Sequence, residues 1–563
     1  IGTTGARVQG DGLRFDAPTG DLKYGTLNVA NNIGTGLYVD TKTLGTTFSL
    51  SNTGGSINST LGAALFLDPL TVNMAFSTVN SSDSATNGIT LDTVAGTLNI
   101  GTATINNAGA NGVFVQNSTL DTTFGQLNVD GAITGVYLTQ NTGGSFTVTG
   151  AGAAGAGGTI QNVLDRGVLA LNNVNTSLNN MIIDASGGTR GVGVLTTIGT
   201  NTFSLTNSTV TGGTEQAVGI GSDITGVLNA TVSGNTLIGT GAADSAGGFG
   251  AVTSAVGLSG GTLNVALSGN TLSSASSSGA LISSFNPLTS TTGGTVTITD
   301  FANNIVTTSN AGGSSTALTG GIHVNGVTFD ADLSTAGIQT VNGGTLFIGN
   351  PLNPALVVGD GLQLNDVSGA LAFTSLVIGN DNGTGLYVNT KVNNTTFNLS
   401  NTSGAISTTN GSALFLDPLT ANLTFRSVSA TGGSGNGIDL DTVAGNVNLG
   451  NVNITNMTGN GLSMVNSNAN VTTGSITINN VASGLVFTNN NGSFTANDVT
   501  NLTGLGGTGI DMQSTGGTYN FADLNITTSG AARGLDFRNS NVLFTSGTTT
   551  ITGDGSIGSF GID

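Results

Sequence analysis

Pairs of aliphatic residues flanking one variable residue recur along the chain at intervals of about 24 residues. Segments 88–92 and 112–116, Gly-Ile-Thr-Leu-Asp and Gly-Val-Phe-Val-Gln, are typical. This alternation has the period of a β-strand, in which successive side chains point to opposite faces. Between these segments, Leu98, Ile100 and Ile105 indicate further short strands. The pattern therefore predicts about three short strands in each 24-residue interval.

Three strands in so short an interval fit one coil of a parallel β-helix, whose strands pair with their equivalents one coil above and below. The sequence thus predicts an all-β β-solenoid. The inward residues should form two continuous buried stacks, which include Leu65, Leu67, Ile89, Leu91, Val113 and Val115, and later Leu414, Leu416, Ile438 and Leu440. Their outward neighbours Thr90 and Phe114 should be exposed. The Asn-rich corners 106–107 and 479–480 should adopt left-handed turns and stack as amide ladders.

The chain also copies itself over a longer distance. Residues 1–214 match residues 350–563 at an offset of 349, so that Ala-Leu-Phe-Leu-Asp-Pro-Leu at 64–70 returns at 413–419. Because the short period runs almost end to end, we predict one continuous solenoid over residues 1–563. Its middle, at about 195–360, is less regular and rich in loops. Such loops could carry recognition, since binding residues often lie on loops of a rigid scaffold.

Composition narrows the function classes. The 563 residues include 92 Gly, no Cys and no Trp, and the formal net charge is −19. A protein that binds nucleic acid or an anionic membrane needs a basic face, so neither partner is expected. The absence of cysteine excludes disulfides, thiolate metal sites and Cys nucleophiles. The sequence contains no run of 18 apolar residues, so no membrane-spanning helix is expected.

The repeated Gly-aliphatic-x-aliphatic-Asp/Asn pattern resembles the right-handed parallel β-helix repeats of large bacterial surface proteins, such as autotransporter passengers and filamentous adhesins. The resemblance covers nearly the whole chain. It implies a right-handed winding and a secreted or surface-anchored stalk, adhesin or fibre. Polysaccharide lyases and phage tailspikes share the fold, and a fold alone does not fix a function.

Few residues offer catalytic chemistry. His323, the only histidine, stands at an outward position and is expected to be exposed. A single histidine excludes a multi-histidine metal site. Asp439, Asp511 and Asp536 also stand at outward positions, where paired carboxylates could cleave glycosidic bonds. We expect these three to lie several coils apart, without forming a pair.

The most specific candidate site consists of four aspartates, Asp16, Asp40, Asp68 and Asp92. Each stands four residues after the small residue that opens its coil. They should stack in one column, about 4.8 Å apart. Carboxylates at that spacing could bind Ca²⁺, which makes the four aspartates candidate calcium ligands. The second copy reads Asn365, Asn389, Asp417 and Asp441 at the same positions. Asn there favours a shared hydrogen bond in the turn over a shared charge.

Taken together, these features predict a non-enzymatic, extracellular structural or adhesive stalk or filament segment of a larger bacterial surface protein, with no cofactor. Its partners should be copies of itself, end to end or laterally, and surface glycans or other cells. The chain begins at Ile1 and ends in Gly-Ile-Asp, which resembles the start of a further coil, so we expect a longer native object. The alternative is a carbohydrate-binding or carbohydrate-cleaving β-helix of the tailspike or lyase type.

Overall fold

The computed structural model describes the chain apart from residues 4, 43–46, 154, 241–246, 252–259, 276–277, 287–290, 293, 310–319, 393, 530–531, 554–559 and 563. It is an all-β structure of parallel strands stacked in coils of about 25 residues, with three strands per coil. The predicted β-solenoid is therefore confirmed, and its right-handed winding stays a prediction. The chain divides into two compact units, residues 1–266 with 283–296 and residues 267–282 with 297–563.

The first strand of each coil carries the aliphatic pair, and these strands form what we call the first sheet. In the first unit its strands are Leu13–Asp16, Leu37–Asp40, Leu65–Asp68, Ile89–Asp92, Asn111–Gln116, Thr134–Thr139, Arg166–Leu171, Arg190–Thr196, Val218–Ser222 and Gly247–Ala251. In the second unit they are Gly320–Asn325, Asp360–Asn365, Leu386–Asn389, Leu414–Asp417, Ile438–Asp441, Leu462–Val465, Leu485–Thr488, Ile510–Gln513, Arg533–Arg538 and Phe560–Ile562. Strand Ala280–Ser283 contains residues of both units.

The remaining strands of each coil form the second and third sheets, and in several coils they run as one bent strand. In the first unit they are Val8–Gln9, Gly20–Tyr24, Leu27–Ile33, Phe48–Asn52, Gly55–Leu61, Leu70–Ser82, Val94–Asn106, Thr119–Ala132, Ser145–Val148, Gly158–Val163, Asn175–Asn179, Met181–Asp184, Thr200–Thr206, Thr209–Thr211, Val227–Ser233 and Thr236–Gly239. A short antiparallel pair, Phe285–Asn286 with Thr291–Thr292, accompanies them.

In the second unit these strands are Thr271–Ser274, Ile305–Ser309, Thr328–Phe329, Val341–Gly349, Ser368–Asp381, Phe397–Asn401, Gly404–Thr409, Leu419–Thr424, Ser427–Gly433, Val443–Asn448, Asn451–Met457, Asn470–Thr473, Ile476–Asn479, Ser493–Leu505, Gly516–Thr528 and Asn541–Gly553. Strands Thr262–Ser268 and Thr295–Asp300 contain residues of both units. A 3₁₀ helix spans Pro354–Leu356. None of the described helical residues forms a helix long and apolar enough to cross a bilayer.

Equivalent residues of neighbouring coils pair side by side, which builds the core. Ile89 pairs with Leu65 of one coil and with Val113 of the next. All ten residues of the predicted stacks are buried, and nine of them are 0% exposed. Each such side chain removed from water contributes about 1.5–3 kcal/mol before entropy is subtracted. The inward register predicted from the sequence is confirmed.

The expectation for the outward neighbours is wrong for Thr90 and holds only partly for Phe114. Thr90 is 9% exposed, and Phe114 is half-buried. In the adjacent coils Thr90 lies between Phe66 and Phe114, whose rings shield it from water. Its hydroxyl also accepts a hydrogen bond from Asn87 Nδ2 at 3.0 Å. An outward position is therefore not an exposed one where its stacked neighbours are aromatic.

The asparagine corners adopt the predicted left-handed conformation. The φ angles of Asn107 and Asn480 are 52° and 54°. Asn480 Nδ2 donates to Asn456 Oδ1 at 2.8 Å, so an amide ladder is present there. Asn107 Nδ2 instead donates to the carboxylate of Asp83 at 2.9 Å. The left-handed corner thus accepts either an amide or a carboxylate as its stacking partner.

Coil length changes at corresponding places in the two copies. Asp16 pairs with Asp40 before the turn that follows each first-sheet strand, and Gly20 pairs with Phe48 after it. The turn that follows Asp40 is therefore four residues longer than the turn one coil before. The equivalent turn 390–396 of the second copy has the same extra length.

One long coil belongs to the predicted irregular middle. Ile322 pairs with Leu362, across a much longer interval than that between Leu362 and its next partner, Leu386. Its extra residues form an exposed loop at 330–340 and an excursion that carries the helix Pro354–Leu356. Other parts of this middle, 241–246, 252–259 and 310–319, lie outside the described residues.

Candidate functional site on the outer face of the first sheet

The four aspartates of the predicted column close the first-sheet strands of successive coils. Asp16 pairs with Asp40, and Asp40 pairs with Asp68. The strand that ends at Asp92 pairs with the strand that ends at Asp68. The column is therefore present, as the repeat period predicted.

Lys42 lies across the two buried members of this column. Its Nζ is 3.5 Å from Asp68 Oδ2 and 3.5 Å from Asp92 Oδ2. The two carboxylates are buried, whereas the lysine side chain is 65% exposed. The ammonium group occupies the position between the carboxylates at which a bound cation was expected. Sequence reasoning missed this residue.

The exposed end of the column is paired as well. Arg14 Nε lies 2.8 Å from Asp16 Oδ2, and Arg14 Nη1 lies 2.9 Å from Asp11 Oδ2. The hydrogen bonds from Arg14 lower the pKa of Asp16. Because both partners are exposed, this pair adds little to stability.

Asp40 has a different role, which the second copy makes clear. Asp40 Oδ1 accepts a hydrogen bond from the backbone N–H of Lys42 at 3.0 Å. In the second copy, Asn389 Oδ1 accepts the same bond from the backbone N–H of Lys391 at 3.1 Å. Aspartate and asparagine therefore fill one position with one turn hydrogen bond, and the charge is not required for it.

Lys391 repeats the ion-pair arrangement in the second copy. Its Nζ lies 3.2 Å from Asp417 Oδ2 and 3.4 Å from Asp441 Oδ2. Asp68 and Asp417 are equivalent residues of the two copies, and in each of them the second carboxylate oxygen, Oδ1, is buried without a hydrogen-bond partner. The arrangement is thus a repeated feature of the coil. Two lysines at matching places in two turns of matching extra length were the signal that could have revealed it.

The surroundings shift the pKa values of these carboxyl groups in opposite directions. Burial raises the pKa of Asp68, and the nearby charge of Asp92 raises it further, although Lys42 opposes both. Burial also disfavours ionisation of Asp92, but the hydrogen bonds from Gln116 and Thr93 outweigh it and lower its pKa. Burial likewise raises the pKa of Asp417.

Aromatic residues form a second column beside the acidic one. The rings of Tyr38 and Phe66 stack with centroids 4.8 Å apart and planes 7° apart. The guanidinium of Arg14 lies 4.0 Å from the centroid of the Tyr38 ring. Tyr387 and Phe415 form the equivalent stack in the second copy, at 4.7 Å. In each stack the two rings cover each other's facing sides. A sugar ring therefore cannot stack on those two sides.

His323 is buried, which corrects the expectation of an exposed residue. Its side chain is 1% exposed, and it pairs in register with Gln363 of the next coil. Gly320 lies so close that a β-carbon there would be 2.8 Å from the imidazole Nε2. Backbone without a side chain therefore packs against the ring and excludes water from it.

Asp511 and Asp536 correct the expectation of carboxylates several coils apart. They pair in register on neighbouring coils, because the distance between them along the chain is one coil. Arg538 bridges them, with Nη2 3.2 Å from Asp511 Oδ1 and Nε 3.2 Å from Asp536 Oδ1. Arg533 Nη1 lies 2.6 Å from Asp536 Oδ2. Asp439 lies three coils earlier, and burial raises its pKa.

Within the described residues, no group of three or more histidine, cysteine, aspartate or glutamate side chains is arranged to hold a metal ion. Asp16, Asp40, Asp68 and Asp92 form a line along the coils and do not converge on one point. Calcium binding by this column stays a prediction.

The chain is thus a parallel β-solenoid, and charged side chains on the outer face of its first sheet stack in columns along the coils. No protein-family model matches the chain, and no curated protein matches it. Among solved structures, a PL6-family alginate lyase, AlyGC, aligns over 98% of this chain and 96% of its own chain, with 8% sequence identity and a TM-score of 0.15. So low a score carries no argument about this chain.

Proposed function

We propose that this chain is a non-enzymatic, extracellular segment of a stalk or filament that belongs to a larger bacterial surface protein and also serves adhesion. The observation that carries the proposal is the repeated lysine–aspartate arrangement. Lys42 with Asp68 and Lys391 with Asp417 stand at equivalent positions of two copies of one scaffold. These repeated ion pairs support a structural role, because each one stands beside a turn that is four residues longer than the turn one coil before.

Four other charged groups of the first sheet support the same proposal. A catalytic acid or nucleophile needs an accessible position opposite its substrate. Here Asp16, Asp511 and Asp536 are paired with arginines, and Asp40 accepts a turn hydrogen bond. These carboxylates therefore form ion pairs and hydrogen bonds with neighbouring residues of the solenoid. Within each unit, paired strands join neighbouring coils, as a structural segment requires.

The expected location and partners follow from composition. A dilute net charge of −19 favours a solvated surface and disfavours nucleic acid and anionic membranes. The partners we propose are copies of the chain, joined end to end or laterally, and surface glycans or other cells. Contacts between strand edges of successive copies would be heterologous and would not close, which generates filaments.

Electron microscopy of the native material tests this proposal. Fibres with an axial rise of about 4.8 Å per coil are expected. Compact monomers or closed trimers would contradict it and would favour the tailspike alternative. Incubation with alginate, pectin and neutral glucans, followed by measurement of new reducing ends, should show no cleavage.

A second candidate function, cleavage of a polysaccharide, is favoured by one observation. Asp68 and Asp92 lie on neighbouring coils and have pKa values shifted in opposite directions, as an acid and base pair requires. Against this stands Lys42, which lies across both carboxylates. If cleavage is found, Asp92→Asn combined with Asp441→Asn, which removes the equivalent carboxylate from both copies, should abolish it, and the exposed Asn99→Ala would serve as the control.

A further inference from the structure

A shallow groove of about 500 Å³ crosses four coils of the second unit, along strands Phe397–Asn401, Leu419–Thr424, Val443–Asn448 and Asn470–Thr473. Its lining consists of asparagine, threonine and serine side chains with two aliphatic residues, and it includes no charged side chain. The groove is therefore an uncharged surface on a chain of net charge −19.

Three exposed asparagines form the centre of this groove. Asn446 Nδ2 donates to Asn422 Oδ1 at 3.4 Å, and Asn470 Nδ2 donates to Asn446 Oδ1 at 3.2 Å. Ser493 Oγ continues the series by donating to Asn470 Oδ1 at 2.9 Å. The four residues pair in register on successive coils, so the ladder runs along the stack. We call these four residues the amide ladder.

The amide ladder keeps unused hydrogen-bonding capacity. A primary amide has two N–H donors and an oxygen with two lone pairs. The ladder engages one donor and one lone pair of Asn446, and the others remain for a ligand in the groove. The ladder bonds also fix the orientation of each amide, which lowers the entropic cost of binding.

The first copy shows that the scaffold does not require this surface. At the offset of the long repeat, Thr97 and Asp121 stand where the ladder has Asn446 and Asn470. The second copy thus has the same coil with one threonine and one aspartate replaced by asparagines.

We propose that the amide ladder binds an extended, neutral polysaccharide that lies along the stack of coils. Sugar hydroxyls both donate and accept hydrogen bonds, as the free amide groups do. The coil spacing of about 4.8 Å is comparable to the length of one pyranose residue in an extended chain, so each ring can meet a new rung. An anionic polysaccharide would find no counter-charge in the groove and would be repelled by the chain. This inference rests on the adhesive part of the proposed function and names its ligand.

Glycan binding by the whole chain tests the inference. The probes are β-1,4-linked hexasaccharides of glucose and of mannose, with an alginate hexasaccharide as the anionic comparator. Isothermal titration or immobilised-glycan binding should detect at least one neutral probe and not the alginate. Because no charge takes part, the affinity should not change from low to high salt.

The double variant Asn446→Thr with Asn470→Asp should weaken binding by roughly 10-fold or more, since two rungs lose their amides. These substitutions install the residues that the first copy already has at these positions, so folding should be preserved, as circular dichroism and melting would show. The reciprocal variant, Thr97→Asn with Asp121→Asn, should create a second binding site in the first unit. The control Asn99→Ala changes an exposed amide outside the groove and should leave binding unchanged.

Several outcomes would overturn the inference. These are binding of neither neutral probe, binding of alginate in preference to both, affinity that falls with salt, or full binding by the folded double variant. The proposed scaffold would survive each of these results, because filament formation is measured separately by microscopy. Conversely, compact monomers that bind neutral glycan would contradict the scaffold and leave the glycan site standing.

Discussion

Lys391 Nζ lies 3.2 Å from Asp417 Oδ2, on the outer face of the first sheet. The contact reproduces that of Lys42 with Asp68, one long repeat earlier in the chain. In each copy the lysine comes from a turn that is four residues longer than the turn one coil before. The lysine and the buried carboxylate therefore form one unit of structure, in which an exposed cation offsets a charge that burial disfavours.

This unit predicts a pH dependence of stability. Burial raises the pKa of Asp417 and of Asp68 above the ordinary value of about 3.9. Between that value and the raised pKa, the folded protein holds the proton more tightly than the unfolded protein does. The contribution to stability is therefore present in acid and is lost as the pH rises through the folded pKa. Asp68→Asn with Asp417→Asn should remove this part of the pH dependence.

Urea unfolding between about pH 4 and pH 7 measures the effect. Near neutral pH we expect the double variant to differ from the parent by less than about 1 kcal/mol, because the ion pairs with exposed lysines are worth little. The parent should gain stability relative to the variant as the pH falls. A parent and variant with parallel pH profiles would contradict the assigned burial effect, and Asn99→Ala should follow the parent.

The inward face could be predicted from the sequence because it depends on one spacing. Ile89 and Leu91 repeat at a distance that one coil fixes, and a strand has only two faces. Coil length is also the reason why Asp511 and Asp536 are neighbours, since their separation along the chain is close to one period. Counting residues between outward positions would have revealed that pair.

The outer face could not be predicted in the same way. The exposure of Thr90 depends on the aromatic residues above and below it, and that of His323 on the close approach of Gly320. The position of Lys42 depends on the path of a turn, whose length alone does not fix where a side chain ends. These features follow from contacts between coils, which the period of one coil does not contain.

Leu91→Asp should destabilise the first unit by several kcal/mol. Leu91 is 0% exposed, and the substitution would bury an unpaired charge. Thermal and urea unfolding measure the loss. The matched control is Asn99→Asp, which adds the same charge at an exposed position and should change stability by less than about 0.5 kcal/mol. Equal effects of the two variants would contradict the assigned register.

Two glycines at equivalent positions should resist substitution. Gly96 and Gly445 have φ angles of +100° and +99°, and a β-carbon would lie 2.0 Å from Val72 O and 2.2 Å from Ala421 O. Gly96→Ala and Gly445→Ala should each cost more than about 1–3 kcal/mol, since strain and a backbone clash act together. Gly25→Ala is the control, because its β-carbon would meet no atom within 4 Å. Melting curves that match for all three variants would refute this.

Calcium chelation should have little effect on stability. The cation that Asp68 and Asp92 require is supplied by Lys42, and Asp16 is paired with Arg14. Four carboxylates in a line also lack the six to eight converging oxygens that Ca²⁺ prefers. We therefore expect the melting temperature to be the same in EGTA and in millimolar Ca²⁺.

The variant Asp68→Asn with Asp92→Asn distinguishes a structural column from a calcium site. If the column bound Ca²⁺, EGTA would lower the melting temperature of the parent, and the variant would lose that response. If Lys42 is the counter-ion, the chelator should change the melting temperature of neither the parent nor the variant. Lys42→Ala should then make the column more receptive, because removal of the ammonium leaves two buried carboxylates without a cation. A calcium-dependent rise in melting temperature that appears only in Lys42→Ala would show that the lysine occupies the cation position.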